Sequence, residues 1–424
     1  MNIYFDDCGR TLLSGGYGEF CRGVLVGLLK TTEFQIFVAK EYYSKLLTFL
    51  DSIEIEKKNL KRWDGVALET IDVYLSLSSL HTIPIPNFGY LKVLITGSPF
   101  DGISEIIKNK VSLYDSVIFS GKVDNKNFSF IDSYDLPQPL NIEERVLFLN
   151  TSPIMRRRSS NFLFVGTFNY WKGLDISIKS FHFSDAPSGS KLRLQVGVVD
   201  KEKILGGDAS EYLKLVRHQE MFSDVVLTYL KQADATLDEI KFDGRFIIIK
   251  FSNQNKIRLI QIDMFYVDNF EMSRIYQESD VLLSSSRGET WSMPVVESIA
   301  HGLSVVVSMH LGCVEYLKEF DQLILVDSQK SQFDEFDFSD RSSGGGKIYT
   351  NSKINFHESS VEDFTNSINK LLEQNMIRRN KKPDISVFEN LKKIDELFGI
   401  GKIGQVYSDT LLYAVNKKRS GVQG

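Results

Sequence analysis

Short β-branched runs alternate with helix-patterned stretches from the first residues onward, and this alternation constrains the fold more than any other feature. Runs at 2–5, 34–38, 72–77, 92–96, 115–120 and 145–149 are short, apolar and bounded by polar or turn residues, as buried strands are. Between the first two lies 17–30, where Phe20, Val24, Leu25 and Leu28 recur at helical spacing. Such alternation predicts a parallel sheet with helices on both faces. A second series predicts strands at 161–165, 192–199, 280–285 and 303–308, with helices at 171–181, 271–277 and 294–301. A chain of 424 residues has room for two such units, and no short-period repeat points to a solenoid. The expected fold class is α/β: two doubly wound, Rossmann-like domains facing one another across a cleft. The junction at 150–160, with Pro153 and the run Arg156-Arg157-Arg158, reads as the linker, so the domains span 1–150 and 151–401.

Two regions are less regular. The stretch 186–255 is longer than one strand-helix unit needs and contains a helix near 210–231 and a strand near 246–251. The segment 330–346, acidic and then Ser-Ser-Gly-Gly-Gly, reads as a mobile loop with solvated charges. Residues 361–397 read as helical, followed by a last helix near 403–416.

Composition removes several function classes. With 42% hydrophobic and 25% charged residues the chain is neither disordered nor collagen-like. A net charge of −5 argues against a broad nucleic-acid footprint. No run approaches the roughly 18 apolar residues of a membrane span. Cys8, Cys21 and Cys313 are odd in number and lack metal-ligand spacing, so the chain reads as cytosolic and reduced, with no metal site. The triple arginine leaves room for weak contact with the inner face of a membrane.

The strongest chemical signal is Ser284-Ser285-Ser286-Arg287-Gly288-Glu289-Thr290-Trp291-Ser292-Met293-Pro294-Val295-Val296-Glu297-Ser298-Ile299-Ala300-His301-Gly302. A strand ends near Ser285, a loop follows, and Pro294 suits the first turn of a helix. Ligands of open parallel sheets bind beyond the carboxyl ends of the strands, where this loop falls. The amides of Thr290, Trp291, Ser292, Met293 and Val295, together with the helix dipole, form an anion site that needs no lysine. Glu289 and Glu297 are eight positions apart across the loop and can hold separate parts of one extended ligand. Taken singly, Glu297 is equally a carboxylate complementing a helix N-terminus, and Glu289 a loop residue facing water.

This segment resembles family-four retaining glycosyltransferases of the GT-B fold, whose signature is two acids separated by seven residues. The resemblance implies that Glu289 orients the donor sugar, that Glu297 holds the ribose of the nucleotide, and that the amides between them meet the diphosphate. A second matching element is Phe164-Val165-Gly166-Thr167-Phe168-Asn169-Tyr170-Trp171-Lys172-Gly173-Leu174-Asp175. There Lys172 fits the family's diphosphate-binding lysine. Thr167 stands where an arginine is usual, leaving the diphosphate one cation short, with Arg287 or the triple arginine as substitutes. In Leu13-Ser14-Gly15-Gly16-Tyr17-Gly18-Glu19-Phe20 the glycine pair matches the family's loop over the donor phosphates or the acceptor, although Gly15-Gly16 also suits a simple tight turn. It is not a dinucleotide fingerprint.

Asp101 and Glu105 fall where the family lines its acceptor cleft, and Asp101 is the one candidate for a protein base. His81 is a lone histidine, and His301 and His310 flank a strand where local partners can satisfy them. Glu315 supports the phosphate loop or caps a helix. The resemblance further implies that the last helix, within 402–424, crosses back to the first domain. The reaction it implies is metal-independent transfer of a hexosyl or related sugar, with retention, from a nucleoside-diphosphate sugar. The acceptor is a saccharide, lipid-linked or other hydroxyl, in surface polysaccharide or glycoconjugate synthesis, and no cofactor is expected. A nucleotide-sugar epimerase of similar architecture and a catalytically degenerate partner subunit are the alternatives. Oligomer contacts or acceptor recognition are left to the long middle segment.

Overall fold

In the computed structural model of the chain, a seven-stranded and an eight-stranded sheet each reverse their strand order part-way across. The structure describes all residues except 8, 10, 12–15, 32–33, 65–69, 79–82, 87, 97–104, 123–127, 141–159, 169, 254–255, 334–353, 379–384 and 422–424. Gly15, His81, Asp101, the triple arginine and the strand expected at 145–149 lie outside the described residues, as does most of the expected linker.

The first lobe runs β1 (Asn2–Asp6), α1 (Gly16–Thr31), β2 (Gln35–Ala39), α2 (Lys40–Ser52), β3 (Leu60–Trp63), β4 (Val73–Leu77), β5 (Leu91–Thr96), α3 (Glu105–Val111), β6 (Ser116–Ser120) and β7 (Asp132–Leu136). Its sheet has the order β3-β2-β1-β4-β5-β6-β7, every pair parallel. β4 and β6 are buried along their whole length, as strands covered on both faces must be.

The second lobe runs β8 (Asn161–Val165), a 3-10 turn (Tyr170–Lys172), α4 (Leu174–Phe183), β9 (Lys191–Val199), α5 (Lys201–Leu205), α6 (Ala209–Gln232), β10 (Thr236–Asp243), β11 (Phe246–Asn253) and β12 (Lys256–Phe265). It continues with α7 (Asn269–Gln277), β13 (Val281–Ser284), α8 (Met293–Ala300), β14 (Ser304–Ser308), α9 (Val314–Leu317) and β15 (Leu323–Val326). A ribbon of β16 (Gln329–Phe333) and β17 (Ile354–Glu358) follows, then α10 (Val361–Arg378), α11 (Ile385–Phe398) and α12 (Ile400–Arg419). The sheet order is β10-β11-β12-β9-β8-β13-β14-β15. Asp208 and Asp268 start α6 and α7 by accepting backbone amides within the first turn.

The middle segment corrects the sequence reading. The helix expected near 210–231 and the strand near 246–251 are present as α6 and β11, but β10 before that strand and β12 just past 255 are not among the expected elements; the three strands form an antiparallel meander joined to the parallel sheet through β12 and β9. The expected loop at 330–346 begins instead as strand β16, paired with β17. The 171–181 helix divides into the 3-10 turn and α4 at Gly173, whose φ is +69°.

The last helix returns to the first lobe. Gly27 of α1 and Gly404 of α12 touch backbone to backbone, so that a Cβ on Gly27 would fall 2.8 Å from the Gly404 Cα. Ile403, Tyr407 and Leu411 complete the core built by Phe20, Val24, Leu28 and the first sheet. In the last turn Lys417, Lys418 and Arg419 pair with Asp132 (2.7 Å), Asp115 (2.8 Å) and Asp72 (3.2 Å).

Candidate functional site

In the second sheet the strand order reverses between β8 and β13. Crevices in doubly wound sheets open at that point, beyond the carboxyl ends of the strands. The two segments singled out in the sequence are the chain leaving those neighbouring strands. They are stitched together: the Ser285 hydroxyl donates to the Gly173 carbonyl (2.6 Å), the Ser286 hydroxyl to the Trp171 carbonyl (3.1 Å), and the Arg287 amide to the same carbonyl (2.6 Å). A Cβ on Gly173 would lie 1.8 Å from the Ser285 oxygen, so the left-handed turn and the close approach both demand glycine.

Arg287 is not available to a diphosphate. Only 1% exposed, it grips both carboxylate oxygens of Asp175 (2.7 and 2.8 Å) and reaches Glu358 at 2.7 Å. The expected cation at the site is therefore a buried post that fixes the loop between α4 and β17. Glu289 and Lys172 meet in an ion pair at 2.5 Å, each side chain about one-fifth exposed (19% and 21%). The lysine stem passes 3.5 Å from where a Gly166 Cβ would stand, an ordinary packing distance that places the stem alongside Gly166.

Helix α8 begins at Met293 with Ser292 as its cap and Pro294 in its first turn. The Val295 amide, expected to face a ligand, instead donates to the Ser292 carbonyl (3.1 Å). Among the described residues the amides of Trp291 and Met293 take no backbone acceptor. The Trp291 ring is buried against Tyr316 and Phe398, with centroids 5.6 and 5.2 Å away, which leaves the backbone of that residue as its contribution to the site. Thr290 is also buried, its carbonyl wedged between Gly312 and Gly121, where added Cβ atoms would fall 1.8 and 2.2 Å away. Gly121 follows β6, so this contact ties the two lobes together at the signature loop.

Glu297 stands beyond the first turn of α8, where a helix dipole has faded. It is 7% exposed and accepts a hydrogen bond from the Tyr276 hydroxyl (2.6 Å). His301 contacts the Glu297 carbonyl (2.7 Å) and the Ser273 hydroxyl (2.7 Å), so it has the local partners expected of it. One oxygen of Glu297 is thus anchored by a buried phenol at the wall of a cavity of about 580 Å³ between the lobes. Gly166, Thr167, Gln195, Tyr266, Met293 and Glu297 line it from the second lobe, and Glu19, Arg22 and Phe49 from the first.

Sequence reasoning missed Tyr276 and Arg22. Tyr276 lies 21 residues from its partner on another helix. Arg22 had a signal, the three-residue spacing from Glu19 that puts both on one face of α1. Glu315 bridges Lys318 (2.5 Å) and, across the lobes, Lys122 (3.7 Å), and these cations hold its carboxyl below the usual range. Glu105 is exposed and pairs with Lys108 at 3.7 Å. His310 contacts Ser328 and stacks on His357 with centroids 4.6 Å apart. Among the described residues no three His, Cys, Asp or Glu side chains cluster as metal ligands, and no helix is long and apolar enough to cross a membrane.

Cys313, buried directly beneath the loop, has its thiol pushed up to about 12 by burial, with the Glu289 charge adding to the effect. Native protein at about pH 8 is expected to leave Cys313 unalkylated by iodoacetamide, because only the thiolate reacts. The raised value also fixes a sign: the stability tied to this thiol is complete below its unfolded pKa and lost as pH rises towards 12. Peptide mass spectrometry of native and unfolded samples, with unfolding curves at rising pH, checks both.

Residues 250–335 match the family described as glycosyl transferases group 1. No curated protein matches the chain. Along nearly its whole length the chain is similar to a solved glycosyltransferase from Rickettsia africae ESF-5, at 11% identity over 98% of both chains with a TM-score of 0.58. It is similar to sucrose-phosphate synthase from Thermosynechococcus elongatus, at 11% identity, 97% and 99% coverage and a TM-score of 0.55. Anabaena HepE in complex with UDP and glucose is similar at 10% identity, 97% and 99% coverage and a TM-score of 0.55. At such identities the likeness establishes the fold, two Rossmann-like lobes of the GT-B type. The family match, which spans Arg287, Glu289 and Glu297, supports glycosyl transfer as the activity.

Proposed function

We propose that the cleft binds a nucleoside-diphosphate sugar and passes its sugar, with retention, to a hydroxyl acceptor, in the cytoplasmic synthesis of a surface polysaccharide or glycoconjugate. The observation that carries this reading is Glu297, presented by Tyr276 to a cavity that the start of α8 and Gly166 also line, with the stem of Lys172, paired with Glu289, running past Gly166. A ribose presents neighbouring hydroxyls that a fixed carboxylate can accept from, and diphosphate oxygens suit helix-start amides and an ammonium. Anabaena HepE, which shares the fold, holds UDP and glucose.

The chemical problem is the charge that builds on the diphosphate as the bond from the anomeric carbon to its oxygen breaks. The Trp291 and Met293 amides, fixed at the start of α8, and Lys172 stabilise that charge without a metal ion. Lys172 must then exchange part of its pairing with Glu289 for phosphate, which frees the carboxylate to accept from sugar hydroxyls. The acceptor oxygen bonds to the anomeric carbon on the face the phosphate leaves, and its proton passes to the departing phosphate. The first lobe, with α12, is assigned to the acceptor and the second to the donor.

Calorimetry with UDP, GDP and ADP on Glu297→Ala and Glu289→Ala tests the roles. Glu297→Ala is expected to weaken nucleotide binding by about 1.5–3 kcal/mol, the worth of hydrogen bonds to a charged group, and Glu289→Ala to weaken it less. The reverse order would exchange the two assignments. Product analysis with donor alone separates transfer from isomerisation: slow hydrolysis supports a transferase, an epimerised sugar does not.

A further inference from the structure

Among the described residues, four charged side chains line the cavity, Glu19, Arg22, Asp268 and Glu297, and Arg22 is the single cation. An anionic ligand entering there meets three carboxylates. Asp268 is turned to α7, where it accepts the Glu271 amide (2.7 Å), and Glu297 is held by Tyr276. Thr167, on the opposite wall, is exposed and carries no charge. Glu19, Arg22, Gly23 and Val26 all line the cavity, and their spacing of three and four places them on one stripe of α1. The Arg22 guanidinium donates to the Thr11 carbonyl (3.1 Å), pairs with Glu19 and rests over the Phe49 ring at 5.7 Å. Thr11 lies just past the carboxyl end of β1, and the first sheet reverses its order between β1 and β4. The guanidinium is therefore at the ligand-binding end of its own sheet.

We propose that Arg22 is an anion-gripping residue supplied by the first lobe, exchanging Glu19 for the phosphates of the donor. The diphosphate is then held between Arg22 on one wall and the Gly166–Lys172 turn on the other, the two-pronged guanidinium fork facing the wall where Thr167 offers no charge. The inference rests on the donor reading above and adds to it a charge contact across the cleft. Glu19 becomes a built-in competitor, occupying the guanidinium while the cavity is empty.

The test is calorimetric titration of wild type, Arg22→Gln and Glu19→Gln with UDP, GDP and ADP and with the corresponding free nucleosides. Arg22→Gln is expected to weaken the diphosphate that wild type binds by about tenfold or more and to leave its nucleoside unchanged. Glu19→Gln is expected to tighten the same diphosphate, because the competing carboxylate is gone. Opposite signs in two neighbouring variants are a signature that loss of packing does not produce. If Arg22→Gln does not fold, the tightening by Glu19→Gln remains decisive, since that variant keeps Arg22. An unchanged diphosphate affinity, an equal loss for nucleoside and diphosphate, or weakening in both variants would overturn the proposal and leave the donor reading standing. Wild type that binds none of the three diphosphates would overturn both.

Discussion

Replacement of Arg287 by leucine is expected to cost about 3–5 kcal/mol of stability, the usual penalty for leaving one member of a buried ion pair behind. The guanidinium is 1% exposed, and Asp175, which it clasps with two hydrogen bonds, is 13% exposed at the start of α4. Without it Asp175 keeps its charge in a poorly solvated place. The Arg287→Leu/Asp175→Leu pair is expected to recover much of the loss, since removing both charges also removes the desolvation penalty. Denaturant unfolding of the two variants measures the difference. Equal stability of the single and double variants would show that the cost lies in lost packing. The loop that carries Glu289 is anchored through this residue, so donor binding is expected to weaken in the single variant as well.

The second large effect is at the junction of the lobes. Gly121 has a φ of +114°, and its amide donates to the Leu136 carbonyl (2.7 Å), which ties it to β7. A methyl group there would stand 2.2 Å from the Thr290 oxygen. Gly121→Ala must therefore strain its own backbone or push the signature loop away from the first lobe. Misplacement of a reacting group by about 1 Å can cost about 100-fold in rate, and a loss of that order in kcat/KM is expected for glycosyl transfer. Melting should fall far less in proportion, because the two cores are untouched. A variant with normal turnover would show that the lobes give way at this contact without cost.

What the sequence discloses of this fold follows the physics of each element. Strands buried on both faces, such as β4 and β6, announce themselves as short apolar runs. β3 and β7 escape notice because they are sheet edges, where the exposed Lys61 and Arg62 and the half-buried Asp132 and Tyr134 blur the pattern. β10 is an edge strand exposed along almost all its length, so no buried face marks it. β12, just past the irregular stretch, carries a legible alternation of Ile260, Ile262 and Met264 that the sequence reading leaves unassigned.

The site divides in the same way. The loops after β8 and β13 are readable because glycine, proline and paired acids mark local backbone geometry. The task of Arg287 is not readable, because Asp175 and Glu358 lie 112 and 71 residues away in the chain. Its charge looks like a ligand contact until the fold supplies the counter-charges. Tyr276 and Arg22 become part of the site only when the walls of the cavity are known, since neither residue type is unusual on a helix.

The return of α12 has a consequence for how the molecule is made. Ile403, Tyr407 and Leu411 fill the centre of the first lobe, yet ribosomes deliver them only after every strand of the second. Domains generally mature in the order of their synthesis, and here that order cannot hold. The earlier half must wait, its hydrophobic face bare, while the later half consolidates. Nascent chains of this protein are thus expected to depend on chaperones longest in the part that is translated first.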